Sequence, residues 1–561
     1  QGFYSSRISL NSTLTMPAVP RGGIEWPEVD ARTGRPSTTE TNKSIWTAAL
    51  RSLIATEGAD ADTEEAISPA LRSDAESLIA DVERTSKSEW RTGYVELLRR
   101  FGEIMASAPS EGALRMAEAG LEAMNSSLVV VVDDEKRVPA KETVLTDGAV
   151  ELRPCETETV GGEGPPVASD ARYAMASPHR DADTGGHVLV AGEEMKAQVS
   201  KWAEYGCVEP SVATSASRIA EVDNVRSLVE GKMFVLLGAT SAMGPADVLI
   251  GLGAKIAAVA RPGKKLEALM ERARAGPEGA ELLVPVLDGQ SPGADLINDA
   301  PELARWIASL RPDLRPVICN LAYLDGERNV RAGVGTDLIT EYVLGQREDA
   351  CISYVLSPST VHAVTDEAAH AAGEAYDTAP FWQRMMFSPS NTWKVEDGHI
   401  RVLNGLSSLQ GPSYALTKTS QQWRAMVSHH RLGRTVSAIF GPPTRTESMV
   451  GHAKMAAALE GLQNFPPNIA FDVPCASTLL AALLLHDINF GNEEGESGTA
   501  AHPMRLFDRN SAHGGCWRCP FRIDGLGSAS YLSGRFASNG AGWCPEGALA
   551  SRPTGVGQSR D

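Results

Sequence analysis

The chain has 561 residues, too many for one compact core, and a prior of about 100–200 residues per domain divides it into two or three units. With 42% hydrophobic and 22% charged residues it has the composition of a soluble globular protein, and a formal net charge of -19 sets its average surface against phosphate backbones, so nucleic acid is not expected as a partner. No run of 18 apolar residues is uninterrupted, which argues against a membrane span; eight cysteines, mostly scattered singly, make no disulfide framework and suit a reducing intracellular compartment, cytoplasm or organelle.

Residues 1–42, rich in Pro, Gly, Ser and Thr, read as an extended arm. The arm holds Arg7 and Arg21 and no acid before Glu25, the composition of a transit-peptide remnant or of any disordered tail. Residues 43–190 read as a mainly helical region: apolar residues recur at helical spacing in SIWTAALRSLIA, ALRSDAESLIADVE, EWRTGYVELLRRFGEIMA and EGALRMAEAGLEAM, which predicts three or four helices. LVVVVDD at 128–134 reads as one strand and 135–190 as loop-rich. No residue of 43–190 carries recognisable chemistry, and the region is expected to pack or oligomerise.

The pattern changes after Gly231. KMFVLLG, AKIAAVAR, ELLVPVLD, RPVICNLAY, ACISYVLSP and RTVSAIFGPP are short apolar runs separated mostly by helical segments, the signature of parallel strands with crossover helices. Residues 191–490 are therefore expected to form an α/β domain with a doubly wound, Rossmann-like parallel sheet, with ligands beyond the carboxyl ends of its strands. An insertion at 365–412 and a C-terminal extension at 491–561 complete the expected organisation.

The first strand runs into a turn holding Gly238, Thr240, Ser241, Met243 and Gly244. Gly238 lets the chain leave the strand tightly, and Gly244 lets the following helix start close to a pyrophosphate. The second strand ends at Arg261, followed by Lys264 and Lys265; a base where a ribose would lie accommodates a 2′-phosphate and favours NADP(H) over NAD(H). Asp288 closes the third strand where an adenine would sit, and Asn320 and Ala322 close the fourth, where they would line the cofactor. In GPSYALTKTS, Tyr414 and Lys418 lie four apart, on one face of a helix. The lysine ammonium is expected to pull the phenol pKa down from its ordinary value near 10 and to reach the nicotinamide ribose, so that Tyr414 serves as the acid. Ser357, directly after the fifth strand, is expected to polarise the carbonyl, with Ser359, Ser407 and Ser408 as competitors.

In this order these motifs resemble the short-chain dehydrogenase/reductase superfamily over residues 228–490. LSPS, SYALTK and IFGPPTRTESM are most similar to the ketoreductase domain of fungal-type fatty acid synthases. The resemblance implies hydride transfer from NADP(H) to a carbonyl, such as that of a β-ketoacyl thioester, a nicotinamide contact from the turn with Pro442 and Thr444, and a homo-oligomer or a place in a larger complex, commonly through the helix carrying Tyr414. Leu237 and Ala242 depart from the family's first turn, and GTDLITEYVLG lacks its relay asparagine, so a catalytically inactive structural or nucleotide-sensing subunit is the alternative. The aromatic insertion, with Phe381, Trp382, Met385, Met386, Phe387 and Trp393, is either a lid over an apolar substrate or a docking patch onto the N-terminal helices. In the tail, His513, Cys516, Cys519 and Cys544 offer zinc-ligand types, yet one Cys-x-x-Cys with a distant partner favours free thiols, and no metal is expected. His362, His429 and His430 read as surface or core residues.

Overall fold

The computed structural model describes residues 22–55, 67–132, 136–390, 392–395, 400–407, 410–491 and 501–537. The four periodic N-terminal segments form helices α1 (Thr39–Ile54), α2 (Pro69–Arg84), α3 (Lys87–Ser107) and α4 (Ser110–Ser127). Their starts are encoded locally: Ser68 accepts the Leu71 N–H ahead of Pro69, and Ser86 with Glu89 makes a capping box. The arm is tied down at its end, where Ile24–Glu25 pairs with Val129–Val131 and Trp26 is buried with its indole N–H on Glu327.

The 135–190 stretch departs from the loop-rich expectation. It contributes β1 (Cys155–Gly161), which joins the main sheet antiparallel at one edge, and a hairpin of Ala174–Arg180 and His187–Ala191. β1 reads CETETVG, with most of its side chains exposed; an edge strand gets its order from a neighbour's backbone and has no apolar face to betray it in sequence. The expected division at residue 190 therefore cuts through the sheet.

The chain then runs through β2 (Lys232–Leu237), α5 (Ala246–Gly251), β3 (Lys255–Val259), α6 (Lys264–Arg274), β4 (Glu281–Leu287), β5 (Arg315–Asn320), α7 (Glu327–Gln346), β6 (Cys351–Leu356), α8 (Pro412–His430), β7 (Val436–Phe440) and α9 (Val473–Phe490). The protein is thus α/β, built on a seven-stranded sheet in the order β7-β6-β5-β2-β3-β4-β1. All neighbours are parallel except β4 and β1, an arrangement compatible with a Rossmann-like fold. Leu237, Val259 and Asn320 lie in register, as do Leu356 and Phe440, so the loops that follow these strands emerge along one edge. Strand order across the sheet reverses between β2 and β5.

Alternate strand residues feed two cores. Met233, Val235 and Leu237 pack with Trp46, Phe101, Met116, Val334 and Trp423 from the N-terminal helices, α7 and α8. Phe234 and Leu236 pack with Leu249, Leu266 and Leu479 from α5, α6 and α9. Helix α9 is long and apolar enough to cross a membrane, with a mean hydropathy of 1.4, but here it lies against the sheet, and its Asp487 accepts bonds from Ser437 (2.7 Å) and Asn510 (2.6 Å).

The insertion is folded. Val361–Val364, Thr392–Lys394 and Arg401–Asn404 form a three-stranded antiparallel sheet whose Ala363, Val402 and Leu403 enter the main core. Its aromatics divide their roles: Arg99 of α3 lies over the Trp393 ring, Phe387 packs on Phe465 and Phe521, and Phe381, Trp382, Met385 and Met386 stand exposed. Trp393 thus docks on an N-terminal helix, as one of the two expectations has it.

Helices α7 and α8 are joined by a buried ion pair. Arg424 donates to both carboxylate oxygens of Asp337 at 2.8 and 2.7 Å and to Glu341 at 2.6 Å, while Asn125 of α4 donates to Asp337 at 2.8 Å. Replacing Asp337 by Ala leaves the guanidinium largely uncompensated and is expected to cost on the order of 3 kcal/mol in denaturant unfolding. A loss near zero would mean that Glu341 alone suffices. Deleting 370–405 removes two strands of the insertion sheet and is expected to abolish cooperative unfolding, whereas polar replacement of the four exposed residues should change stability by no more than about 0.5 kcal/mol each.

Candidate active site

The glycine-rich turn leaves β2 at Gly238, whose φ is +97° and where an added Cβ would stand 3.0 Å from the Ala322 nitrogen. Only glycine fits that approach of two backbones. Gly238 and Ala239 both donate to the Val259 carbonyl, and Ser241 and Gly244 close successive turns through 2.9 and 3.0 Å bonds. Among the described residues, the amides of Thr240, Ala242 and Met243 donate to no protein group, so they are available to phosphate oxygens. Helix α5, which follows the turn, has six residues. Met243 reaches across to the end of β7, its Cε 3.4 Å from where a Cβ on Gly441 would sit.

Arg261 lies exposed beyond β3, its Nε 3.9 Å from an Asp295 carboxylate oxygen. Lys265 pairs with Glu447 at 3.1 Å. Asp288 is exposed with φ +50° and donates its N–H to Pro154 beside the sheet edge. Asn320 is buried and committed to structure: its Nδ2 donates to Thr336 at 2.8 Å and its Oδ1 accepts the Ala322 N–H at 3.3 Å. Pro442 is buried, and the Thr444 hydroxyl turns back onto the Pro442 carbonyl at 2.8 Å.

Ser357, the first residue after β6, sits beside the Tyr414 phenol, close enough to favour its ionisation, and accepts the Ser359 N–H at 3.2 Å. Of the competing serines, Ser359 is the donor of that bond. The Ser407 carbonyl is engaged by Tyr94, and Ser408 lies outside the described residues. Lys418 stands one turn beyond Tyr414, but its ammonium points at the Val355 carbonyl (3.3 Å) and at Gln421 Oε1 (3.1 Å). This overturns the expectation of a lowered phenol pKa. Burial holds Tyr414 above the ordinary tyrosine value, and only Ser357 opposes it. Burial also acts on Lys418 and lowers its ammonium to about 8.

Four contributors were not legible in the sequence. The Tyr323 ring lies 6.0 Å from the Tyr414 ring at 74°, its hydroxyl donating to Asp325 at 2.9 Å. Asn329 stands in the first turn of α7, upstream of the stretch in which an asparagine was sought; it accepts the Leu324 N–H at 3.1 Å and keeps a buried amide nitrogen without a partner. Gln421 holds the Lys418 ammonium. Tyr94, from α3, donates to the Ser407 carbonyl at 2.7 Å and accepts the Gly411 N–H at 3.2 Å, splinting the turn that starts α8. Tyr323 and Gln421 had a signal, being next to motif residues, whereas Tyr94 is more than 300 residues away in sequence.

The tail folds onto the site's rear. Ala512 donates to the Phe440 carbonyl at the end of β7, and Gly514 abuts Pro442 and Pro443. His513 is neutralised as a ligand: Nε2 meets Glu209 at 2.9 Å and Nδ1 accepts the Gly515 N–H at 2.9 Å. Among the described residues no group of three His, Cys, Asp or Glu could hold a metal ion, and Cys544 lies outside them. His362 is a core residue that accepts the Trp517 indole N–H at 2.9 Å. His429 and His430 are half-buried at the end of α8.

The helix expected to form an oligomer interface is covered within the chain. α4 crosses α8 at Gly120, where a Cβ would come within 2.5 Å of the Trp423 ring, and most of α8 from Ala415 to Ser428 is buried. Compared with known proteins, the chain matches no family model and no curated sequence.

Tyr94→Phe deletes both bonds to the 407–411 turn and is expected to cost about 1–3 kcal/mol, with faster amide exchange confined to that turn. Unaltered exchange there would show that the splint is dispensable.

Proposed function

We propose that the sheet is a doubly wound nucleotide-binding fold and that the protein is an NADP(H)-dependent carbonyl reductase of the short-chain dehydrogenase/reductase kind, acting on a carbonyl such as that of a β-ketoacyl thioester. The observation that carries this reading is the placement of Ser357, directly after β6, beside Tyr414 in the first turn of α8 at the carboxyl edge of the parallel sheet, with Lys418 one turn away. Three free amides in the glycine turn and the exposed Arg261 at the end of β3 fit a nucleotide bearing a 2′-phosphate. Bound NADPH would supply the hydride.

The residues of the chain account for the proton. Ser357 Oγ and the Tyr414 hydroxyl converge on one point, where both can hold a carbonyl oxygen and draw its charge. Tyr414, with its phenol kept above the ordinary value, stays protonated at neutral pH and gives its proton to an alkoxide, which is far more basic than a phenolate. That protonation state suits reduction over oxidation. Lys418 is the proton reserve behind it. Gln421 and the Val355 carbonyl hold the ammonium within one turn of Tyr414.

Titration with NADPH and NADH, followed by nicotinamide fluorescence, is expected to show binding with NADPH preferred. Tyr414→Phe should abolish turnover and leave that binding nearly intact. Binding of neither nucleotide would leave the structural-subunit alternative standing. Because the ammonium is the working form and titrates at about 8, kcat/KM should be constant at lower pH and fall as pH rises through that value. Lys418→Met should remove the inflection; an unchanged inflection would assign it to another group.

A further inference from the structure

Tyr323 is out of place as a packing residue. It is 51% exposed, one of few large apolar side chains so open, and it follows β5 at the carboxyl edge of the sheet, not on a remote surface. Its backbone is pinned on both sides, by Asn320 Oδ1 on the Ala322 N–H and Asn329 Oδ1 on the Leu324 N–H. Ala322 is also pressed against Gly238. The hydroxyl is anchored on Asp325, and burial together with that carboxylate pushes the phenol pKa up, so it remains a donor to Asp325. The ring stands edge-to-face with Tyr414, its hydroxyl tied to Asp325, and leaves half its surface open.

We propose that Tyr323 is the specificity-determining wall of the carbonyl pocket, admitting slender, unbranched acyl chains and excluding substrates branched at the carbon beside the ketone. The proposal rests on the reductase reading above. A carbonyl oxygen that reaches the Tyr414 hydroxyl must bring one of its two flanking carbons past the Tyr323 ring, because the two rings are only 6.0 Å apart. An unbranched methylene can lie along an aromatic ring, whereas a quaternary carbon at the same distance overlaps it. Swinging the ring clear would break its bond to Asp325 and its contact with Tyr414. Asp325 acts as a positioning residue, through the Tyr323 hydroxyl.

The test compares two probes with NADPH on the full chain: acetoacetyl-N-acetylcysteamine and its 2,2-dimethyl analogue. The wild type should prefer the unbranched probe. Tyr323→Ala should raise kcat/KM for the dimethyl probe relative to the unbranched one by about tenfold or more. Tyr323→Phe and Asp325→Ala both keep the ring and lose its anchor, so both should give a ratio between the wild type and Tyr323→Ala. NADPH titration, unchanged in all variants, reports that the site is still folded. A ratio that stays at the wild-type value in Tyr323→Ala while turnover persists overturns the role of Tyr323. NADPH binding without turnover of either probe overturns the substrate class. Absence of NADPH binding in the wild type overturns the reductase reading itself, and this inference with it.

Discussion

The geometry around Tyr414 depends on one buried contact, the bidentate pair between Arg424 and Asp337. Burial alone would lower the guanidinium pKa, and Asp337 and Glu341 more than offset it, so Arg424 stays charged in the interior. Such a pair is costly to desolvate and tolerates little displacement, because its hydrogen bonds are directional and its remaining valences are filled by Asn125 and Glu341. It locks α8, which carries Tyr414 and Lys418, onto α7, whose first turn carries Asn329 and so holds the loop with Tyr323. A slip between these helices would displace Tyr414 and Tyr323 relative to one another.

The parts of the chain that look like appendages complete this frame. α4 fills the outer side of α8 at Gly120 and Trp423, and Tyr94 of α3 splints the turn that aims its first residues. From the other direction, the segment around Ala512 and Gly514 supports the end of β7 and the proline turn. Glu209, which precedes the helix Pro210–Ala220, joins His513 and Arg518 of the tail; burial works to raise its carboxyl and these two partners bring it down to about 2. The apolar faces of α7 and α8 are covered by helices of the same chain.

Burial shifts the two central titratable groups in opposite directions, since it penalises whichever form is charged. The phenol becomes a weaker acid and the ammonium a stronger one. A Lys418 ammonium pulling on the phenolate would have lowered Tyr414, but the ammonium faces the Val355 carbonyl and Gln421 instead. Helical spacing placed the two residues on one face, and their side-chain directions then decided the electrostatics.

The apolar runs and glycine turns were enough to determine the α/β class, the strands β2 to β7, the four N-terminal helices and the positions of Ser357 just past a strand end and Tyr414 at a helix start. These are properties of short windows, set by period-2 and period-3.6 patterns and by backbone demands at residues such as Gly238. Only the tertiary structure decided that the polar segment Cys155–Gly161 is a strand, that the insertion and the tail belong to the core, that Lys418 turns away from Tyr414, and that Tyr94 and Tyr323 join the site. Each of those outcomes depends on a partner distant in sequence or on the direction of a side chain within a packed interior. Neither is written in a local pattern: an edge strand takes its order from its neighbour's hydrogen bonds, and a buried charge takes its direction from whichever acceptors the fold brings within reach.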